Sequence, residues 1–380
     1  MKKKRIAFIF ALPIRTNPIL ITMPFGHNVI QLLDEAGYEI DVYLSEYKSN
    51  AYNKIFSSSV SVHFLDKNYL WPREGFASYL SLTNYFRWIS STKLRGKYSH
   101  IFASGMAGVT LGKILKSSNG NAKFIYLNDE FPVQGQKTIW VKSEIKSARN
   151  TDIVITPDEE RFPPLAKQIP ALNSKPHYTL PNAPLKKDIG ELPRIDWHSY
   201  FKIDPSKKLF LMAGGLQDFN LIEELLKSVK GWPENTVLIL KGKNNIEGFR
   251  EKYAHLDIPG KIIWTAESFS PDKLHSLIAY VTASLCLYRP INDNLHYVGK
   301  SSGKLMRSVL LGKPVIATHS AMSFVSELDL GCLVENEKDI IAAIQNISKN
   351  GELLEENCKQ NYDQISFEKY WSIIEKELDL

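Results

Sequence analysis

The chain has 380 residues, 44% of them hydrophobic and 23% charged, with 47 Lys and Arg against 41 Asp and Glu. That length allows two domains with full cores, and the composition excludes disordered and fibrous classes. Three cysteines, Cys286, Cys332 and Cys358, are too few and too far apart for a disulfide framework or a zinc cluster, which fits a reducing cytoplasm.

Charge is uneven along the chain. Residues 1–185 hold 23 Lys and Arg against 14 Asp and Glu, a net of +9, and the remainder is net −3. The first half suits an anionic partner or surface, or presents a solvated basic face.

The basic start MKKKR precedes the apolar run Ile6 to Leu12. The run stops at Pro13-Ile14-Arg15 without a small-residue cleavage site, which predicts a first buried strand rather than a secretory leader. No stretch reaches about 18 apolar residues, so no bilayer-spanning segment is expected. From there β-rich runs alternate with helical patterns: RIAFIFAL, GHNVIQLLDEAGY, EIDVYLS, YSHIFAS, AGVTLGKILKSS, AKFIYLND, IKSARN and DIVITP. Such alternation predicts βαβ units on a parallel sheet. Tyr69 to Lys97 holds seven aromatics and five basic residues against one acid. This composition suits either an interfacial helix at an anionic membrane or a core helix with a basic outer edge. No repeated motif suggests nucleic-acid binding.

Pro176 to Pro193, PHYTLPNAPLKKDIGELP, reads as a linker. It separates a first domain, residues 1–185, from a second, residues 194–365, in which the alternation restarts at KKLFLMAGG. Thr156-Pro157-Asp158-Glu159 has capping-box spacing with proline at the first helical position, and Ser270-Pro271-Asp272 opens another helix in the same manner.

Met306, Val309 and Leu310 fall at helical spacing, and Gly312-Lys313-Pro314 stops the helix before the strand VIAT. Ser301, Ser302, Gly303 and Lys304 are therefore expected at a helix amino end, where free N–H groups and the dipole favour an anion such as phosphate. A P-loop is rejected: Gly299 to Gly303-Lys304 is one residue short of the spacing, and Leu305 stands where Ser or Thr would hold a metal. Two further strand ends offer glycine or charge, Gly214 and Gly215 after KLFLM, and Lys241 and Lys243 after VLIL. Ligands of open α/β sheets bind at such ends.

In these features, and through LCLYRPINDNLHYVGKSSGKLMRSVLLGKPVIATHSA, GCLVEN, LPNAP and the tail SFEKYWSIIEKEL, the chain resembles the GT-B glycosyltransferases, in particular family 4 of the nucleotide-sugar transferases. The resemblance implies an α/β protein of two Rossmann-like domains in GT-B architecture, with an interdomain cleft and a C-terminal helix, residues 366–380, returning to the N-terminal domain. The second domain would bind the nucleotide-sugar donor, with Gly303 and Lys304 beneath the diphosphate, Ser301 and Ser302 beside them, and Gly214 and Gly215 near the phosphates or sugar. The family's pair of glutamates eight positions apart would fall at Gly299 and Arg307. The resemblance thus breaks at the residue that commonly holds the ribose. Arg307 either brings charge to a phosphate or sugar carboxylate or is a solvated helix residue.

A helix amino end and a lysine stabilise a departing diphosphate without a metal, and no persuasive Asp-x-Asp pair occurs, so neither metal nor cofactor is implied. The first domain would take a saccharide or lipid-linked acceptor. His27, Asp129 and Glu130, at helix starts and strand ends, are the candidate catalytic groups for an acceptor hydroxyl; each is equally open to a capping role. The resemblance suggests retention of configuration and a cytoplasmic, peripherally membrane-associated enzyme. The alternatives are a sugar-nucleotide epimerase and a non-catalytic binding subunit.

Overall fold

The computed structural model describes residues 4–11, 24–45, 55–64, 98–132, 139–242, 246–318 and 322–380. The chain divides into two compact units. Unit 1 comprises Met1–Leu180 with Trp371–Leu380, and unit 2 comprises Pro181–Tyr370.

Unit 1 is built on seven strands: β1 Arg5–Phe10, β2 Glu39–Leu44, β3 Val60–Phe64, β4 His100–Ser104, β5 Lys123–Leu127, β6 Ile153–Thr156 and β7 His177–Thr179. Their spatial order is β3-β2-β1-β4-β5-β6-β7 and every pairing is parallel. Parallel strands are covered on both faces and so read as continuous apolar runs; β4 is buried throughout, and β1 after Arg5. Strand β7 lies inside the stretch whose composition predicts a linker. Pro176 and Pro181 flank it without interrupting it, and an edge strand tolerates such neighbours.

Helices α1 Pro24–Glu35, α2 Met106–Ser118 and α3 Ile139–Ala148 follow β1, β4 and β5. A β-carbon on Gly108 would lie 2.7 Å from the carbonyl oxygen of Ile9, so α2 approaches β1 to a distance that only glycine permits. Asp41, a buried acid on β2, is reached by Nε of Arg5 at 2.7 Å, Nε2 of His63 at 2.8 Å and the hydroxyl of Tyr98 at 2.8 Å.

Unit 2 has six parallel strands: β8 Lys208–Ala213, β9 Thr236–Lys241, β10 Ile262–Thr265, β11 Ala283–Cys286, β12 Val315–Thr318 and β13 Gly331–Val334. The order is β10-β9-β8-β11-β12-β13. Around it lie α4 Pro271–Tyr280, α5 Gly303–Leu310 and α6 Glu337–Gln360. Phe210, Leu238, Leu285, Ile316 and Ile344 share its core.

The last labelled helix is α7, Phe367–Leu378. Its buried Trp371, Ile374 and Leu378 return to unit 1. There Nε2 of His100 donates to the Leu378 carbonyl at 2.8 Å and Nζ of Lys123 to that of Glu377 at 3.1 Å, while Lys4 bonds the Asp379 carbonyl.

Ser270 caps α4 as its sequence predicts, accepting from the N–H of Lys273, with Pro271 at the first turn. The other expected cap shifts. Thr156 ends β6, where a β-branched residue fits, and Asp158 instead caps the 3-10 turn Glu159–Arg161 by accepting from the Glu160 N–H. Among the described residues no helix is long and apolar enough to cross a membrane.

Candidate functional site

The strand order of unit 2 reverses between β8 and β11, the place where open parallel sheets bind ligands outside their carboxyl ends. Two segments picked out by sequence meet there. Beyond β8, Gly214 holds φ +120°, a conformation that glycine alone adopts readily, and its N–H donates to the Lys241 carbonyl at 3.0 Å. Beyond β11 the chain passes Tyr288 and reaches Ser302, the N-cap of α5. A β-carbon placed on Gly214 would lie 3.7 Å from Nζ of Lys304.

Ser302 is buried, and its Oγ accepts from the Leu305 N–H at 3.4 Å and lies 2.9 Å from the Tyr288 hydroxyl. The Ser301 hydroxyl donates to the Val298 carbonyl. Both serines are thus engaged within the protein, while the first-turn N–H groups of Gly303 and Lys304 have no intrahelical partner. Nζ of Lys304 stands over the Tyr288 ring, 4.8 Å from its centroid. That contact fixes the ammonium without neutralising it.

Gly303 and Gly215 add an independent observation. A β-carbon on Gly303 would meet nothing nearer than 3.5 Å, one on Gly215 nothing within 4 Å, and neither residue has positive φ. Internal packing therefore does not demand glycine at either place, in contrast to Gly108.

Arg307 lies one turn into α5. Its Nη1 is 3.8 Å, and the Asn182 Nδ2 is 3.5 Å, from the β-carbon position of Gly303. Burial pulls the guanidinium below its usual value, and among the described residues it makes no ion pair or hydrogen bond. Asn182 is held by its own N–H to the Lys300 carbonyl, 3.0 Å, and by Nδ2 to the Ser301 carbonyl, 3.2 Å. On α4, burial and the Arg307 charge both lower His275.

Lys241 ends β9 as a buried residue with Nζ 5.0 Å from the Phe269 ring centroid. Lys243 lies outside the described residues, as do Tyr69 to Lys97. Lys300, also buried, stacks on Phe324 at 5.3 Å. Among the described residues, no group of three or more His, Cys, Asp or Glu side chains is arranged to hold a metal ion.

In unit 1, His27 sits in the first turn of α1, 5.5 Å from the Phe56 ring. Asp129 and Glu130 follow β5. Strand β4 intervenes between β1 and β5, so the strand ends leading to His27 and to Asp129 are about 10 Å apart. Burial, reinforced by the Glu130 charge and opposed by Arg161, pushes the Asp129 carboxyl up to about 7. Buried Arg161 donates from Nη2 to the Asp129 carbonyl at 2.9 Å and lies 4.4 Å from the Phe131 ring.

One acid here went unread in the sequence. Glu144 accepts at Oε1 from the Tyr126 hydroxyl at 2.8 Å, and Asn128 Nδ2 donates to that same hydroxyl at 2.8 Å. Burial raises Glu144 to about 7 despite the tyrosine bond. Among the described residues Glu144 Oε2 has no hydrogen-bond partner. The signal was available: Glu144 shares the buried stripe of α3 with Trp140, Val141, Ser147 and Ala148.

Two Rossmann-like units, each a parallel sheet with a single reversal of strand order, and a C-terminal segment that returns to the first unit make this a GT-B fold. The same architecture occurs in sucrose-phosphate synthase from Thermosynechococcus elongatus, at TM-score 0.73 and 14% identity over 99% of this chain and 98% of that one. It occurs in WaaG, a glycosyltransferase involved in lipopolysaccharide biosynthesis, at TM-score 0.66 and 13% identity over 98% of each chain. HepE from Anabaena, in complex with UDP and glucose, matches at TM-score 0.69 and 12% identity over 99% of this chain and all of that one. No family model and no curated protein sequence matches the chain.

Proposed function

We propose that the chain is a glycosyltransferase that moves a sugar from a nucleotide-sugar donor, bound by unit 2, to a saccharide or lipid-linked glycan acceptor. The observation that carries this reading is the Lys304 ammonium, fixed on Tyr288 beside Gly214 at the amino end of α5. A departing nucleoside diphosphate gains negative charge as the glycosidic bond breaks. Oriented N–H groups and an ammonium already in place stabilise that charge without reorganisation and without calling on a metal. Glycines at 214, 215 and 303 let phosphates approach the backbone, and Lys241 and Lys243 would add positive charge from the next strand end.

Under this reading the leaving phosphate accepts the proton of the acceptor hydroxyl, which retains the anomeric configuration. His27, Asp129 and Glu130 would then orient the acceptor. The UDP-bound Anabaena neighbour supports a nucleoside diphosphate sugar as donor, and the lipopolysaccharide enzyme supports a glycan acceptor.

The test is calorimetric titration with nucleoside mono- and diphosphates and their sugar conjugates, on wild type and Lys304→Ala. Binding of one nucleotide class, weakened about tenfold or more in the variant at unchanged thermal stability, is expected from loss of a charge-assisted contact. A folded wild type that binds none of them would sink the reading.

A further inference from the structure

Arg307 carries a consequence for which substrate the site takes. A guanidinium has five donors and no acceptor, and it keeps its charge in proteins. Partly withdrawn from water, it gains from an oxyanion that offsets the cost of its desolvation. Among the described residues none is supplied: Arg307 has no carboxylate partner, its titratable neighbour His275 is held towards the neutral form, and the nearest basic residue along the helix is Lys304.

Around the β-carbon position of Gly303 lie two nitrogen donors and, at 3.6 Å, the backbone carbonyl oxygen of Asn182. Nη1 of Arg307 and Nδ2 of Asn182 flank the missing side chain of Gly303, at 3.8 and 3.5 Å from its β-carbon position. Asn182 cannot turn its oxygen to Arg307 without giving up the Nδ2 bond to the Ser301 carbonyl. The Asn182 Oδ1 itself has no partner among the described residues. Lys304 lies on the other flank, against Tyr288 and Gly214. One turn of helix thus presents two cationic positions facing two different segments, and a diphosphate held at Lys304 leaves the second unanswered.

We propose that the substrate bound at α5 carries a second oxyanion besides its diphosphate, and that Arg307 selects for it. This rests on the nucleotide-sugar reading of the same site. The oxyanion is a carboxylate on the transferred sugar or a phosphate on the nucleoside ribose; either accepts two parallel N–H bonds from a guanidinium fork.

Two matched pairs distinguish the sources. Calorimetry would compare UDP-glucuronate with UDP-glucose, and 2′-phospho-ADP-ribose with ADP-ribose, on wild type, Arg307→Gln, Arg307→Lys and Lys304→Ala. In wild type the acidic member of one pair is expected to bind about tenfold tighter than its neutral partner. Arg307→Gln should close that gap, Arg307→Lys should keep part of it, and Lys304→Ala should weaken both members together. The pair that shows the gap identifies the source. Equal affinities within both pairs, with Lys304 still needed, overturn the selection by Arg307 and leave the donor site standing. A gap that survives Arg307→Gln assigns it to another residue and also overturns the proposal. No binding of any of the four compounds overturns the selection by Arg307, and the wider nucleotide panel then decides whether the donor-site reading falls with it.

Discussion

Nζ of Lys304 lies 4.8 Å from the centre of the Tyr288 ring, and the hydroxyl of that ring is 2.9 Å from the Oγ of Ser302. One tyrosine thus meets the ammonium with its face and its hydroxyl, and supports the helix cap with that same hydroxyl. The two roles separate by substitution. Tyr288→Phe keeps the face and should cost about 1 kcal/mol of stability through the lost hydrogen bond, with nucleotide affinity within about threefold of wild type. Urea denaturation and calorimetry on the same sample read the two effects. A large loss of affinity in Tyr288→Phe would mean that the hydroxyl, through its bond to Lys304 or by direct contact, holds the ligand as well.

Gly303 and Gly108 should respond oppositely to alanine. At Gly108 the new methyl would sit 2.7 Å from the Ile9 carbonyl oxygen, a backbone atom that cannot swing aside. Gly108→Ala should destabilise by about 1–3 kcal/mol. Gly303→Ala meets no clash and gains helix propensity, so stability should hold or rise by up to about 1 kcal/mol while nucleotide binding falls. A Gly303→Ala variant of wild-type affinity would show that no ligand approaches that backbone.

Asp41 should make unit 1 sensitive to acid. Burial pushes its carboxyl up, but bonds from His63, Tyr98 and Arg5 together outweigh burial and hold it below the ordinary value. A carboxyl depressed in the folded state contributes stability above its unfolded value, roughly 4, and loses it as the pH falls through the folded one. Asp41→Asn should cost about 1–3 kcal/mol at pH 7. The gap between variant and wild type should narrow below roughly pH 4; a gap independent of pH would rule out the ionised carboxylate as its origin.

Glu144 has the opposite sign. Its carboxyl is raised to about 7 in the folded state, so the folded protein holds a proton that the unfolded chain releases from roughly pH 4 upward. Stability should therefore fall as the pH rises from 4 towards 7. Glu144→Gln removes the titration and keeps an oxygen for the Tyr126 hydroxyl. Relative to wild type it should gain on the order of 3 kcal/mol between pH 4 and pH 8. Denaturation midpoints at the two pH values decide, and parallel behaviour of the two proteins would place the proton elsewhere.

Much of the architecture is legible in local pattern. Alternating apolar runs and helical stretches identify parallel sheets because both faces of each strand are covered, and Ser270-Pro271 writes its helix start in adjacent letters. The glycine and lysine at 303 and 304 can be read as a helix amino end for the same reason. What escapes is set by proximity across long separations. Nothing in the letters near Gly303 points to Asn182, which reaches the Ser301 carbonyl from 119 positions earlier. Tyr288 reads as one more apolar residue after a strand, although it holds Lys304. Asp41 hides inside EIDVYLS, where a strand pattern gives no hint of three partners on other elements. Thr156 looks like a helix cap because a threonine before Pro-Asp-Glu reads the same whether it caps a helix or ends a strand.

The return of Trp371–Leu380 to the first unit bears on how the protein is made. The ribosome completes the strands of unit 1 early, yet the backbone carbonyl that receives His100 and the apolar side chains of Trp371, Ile374 and Leu378 are not made until all of Pro181–Tyr370 has been synthesised. At 5–20 residues per second that interval is roughly ten to forty seconds. Throughout it the nascent first unit displays an uncovered apolar surface and an unanswered histidine, and the second unit is completed only as the interval ends. The unit begun first is finished last, and a chaperone working on this chain would find its binding surface there.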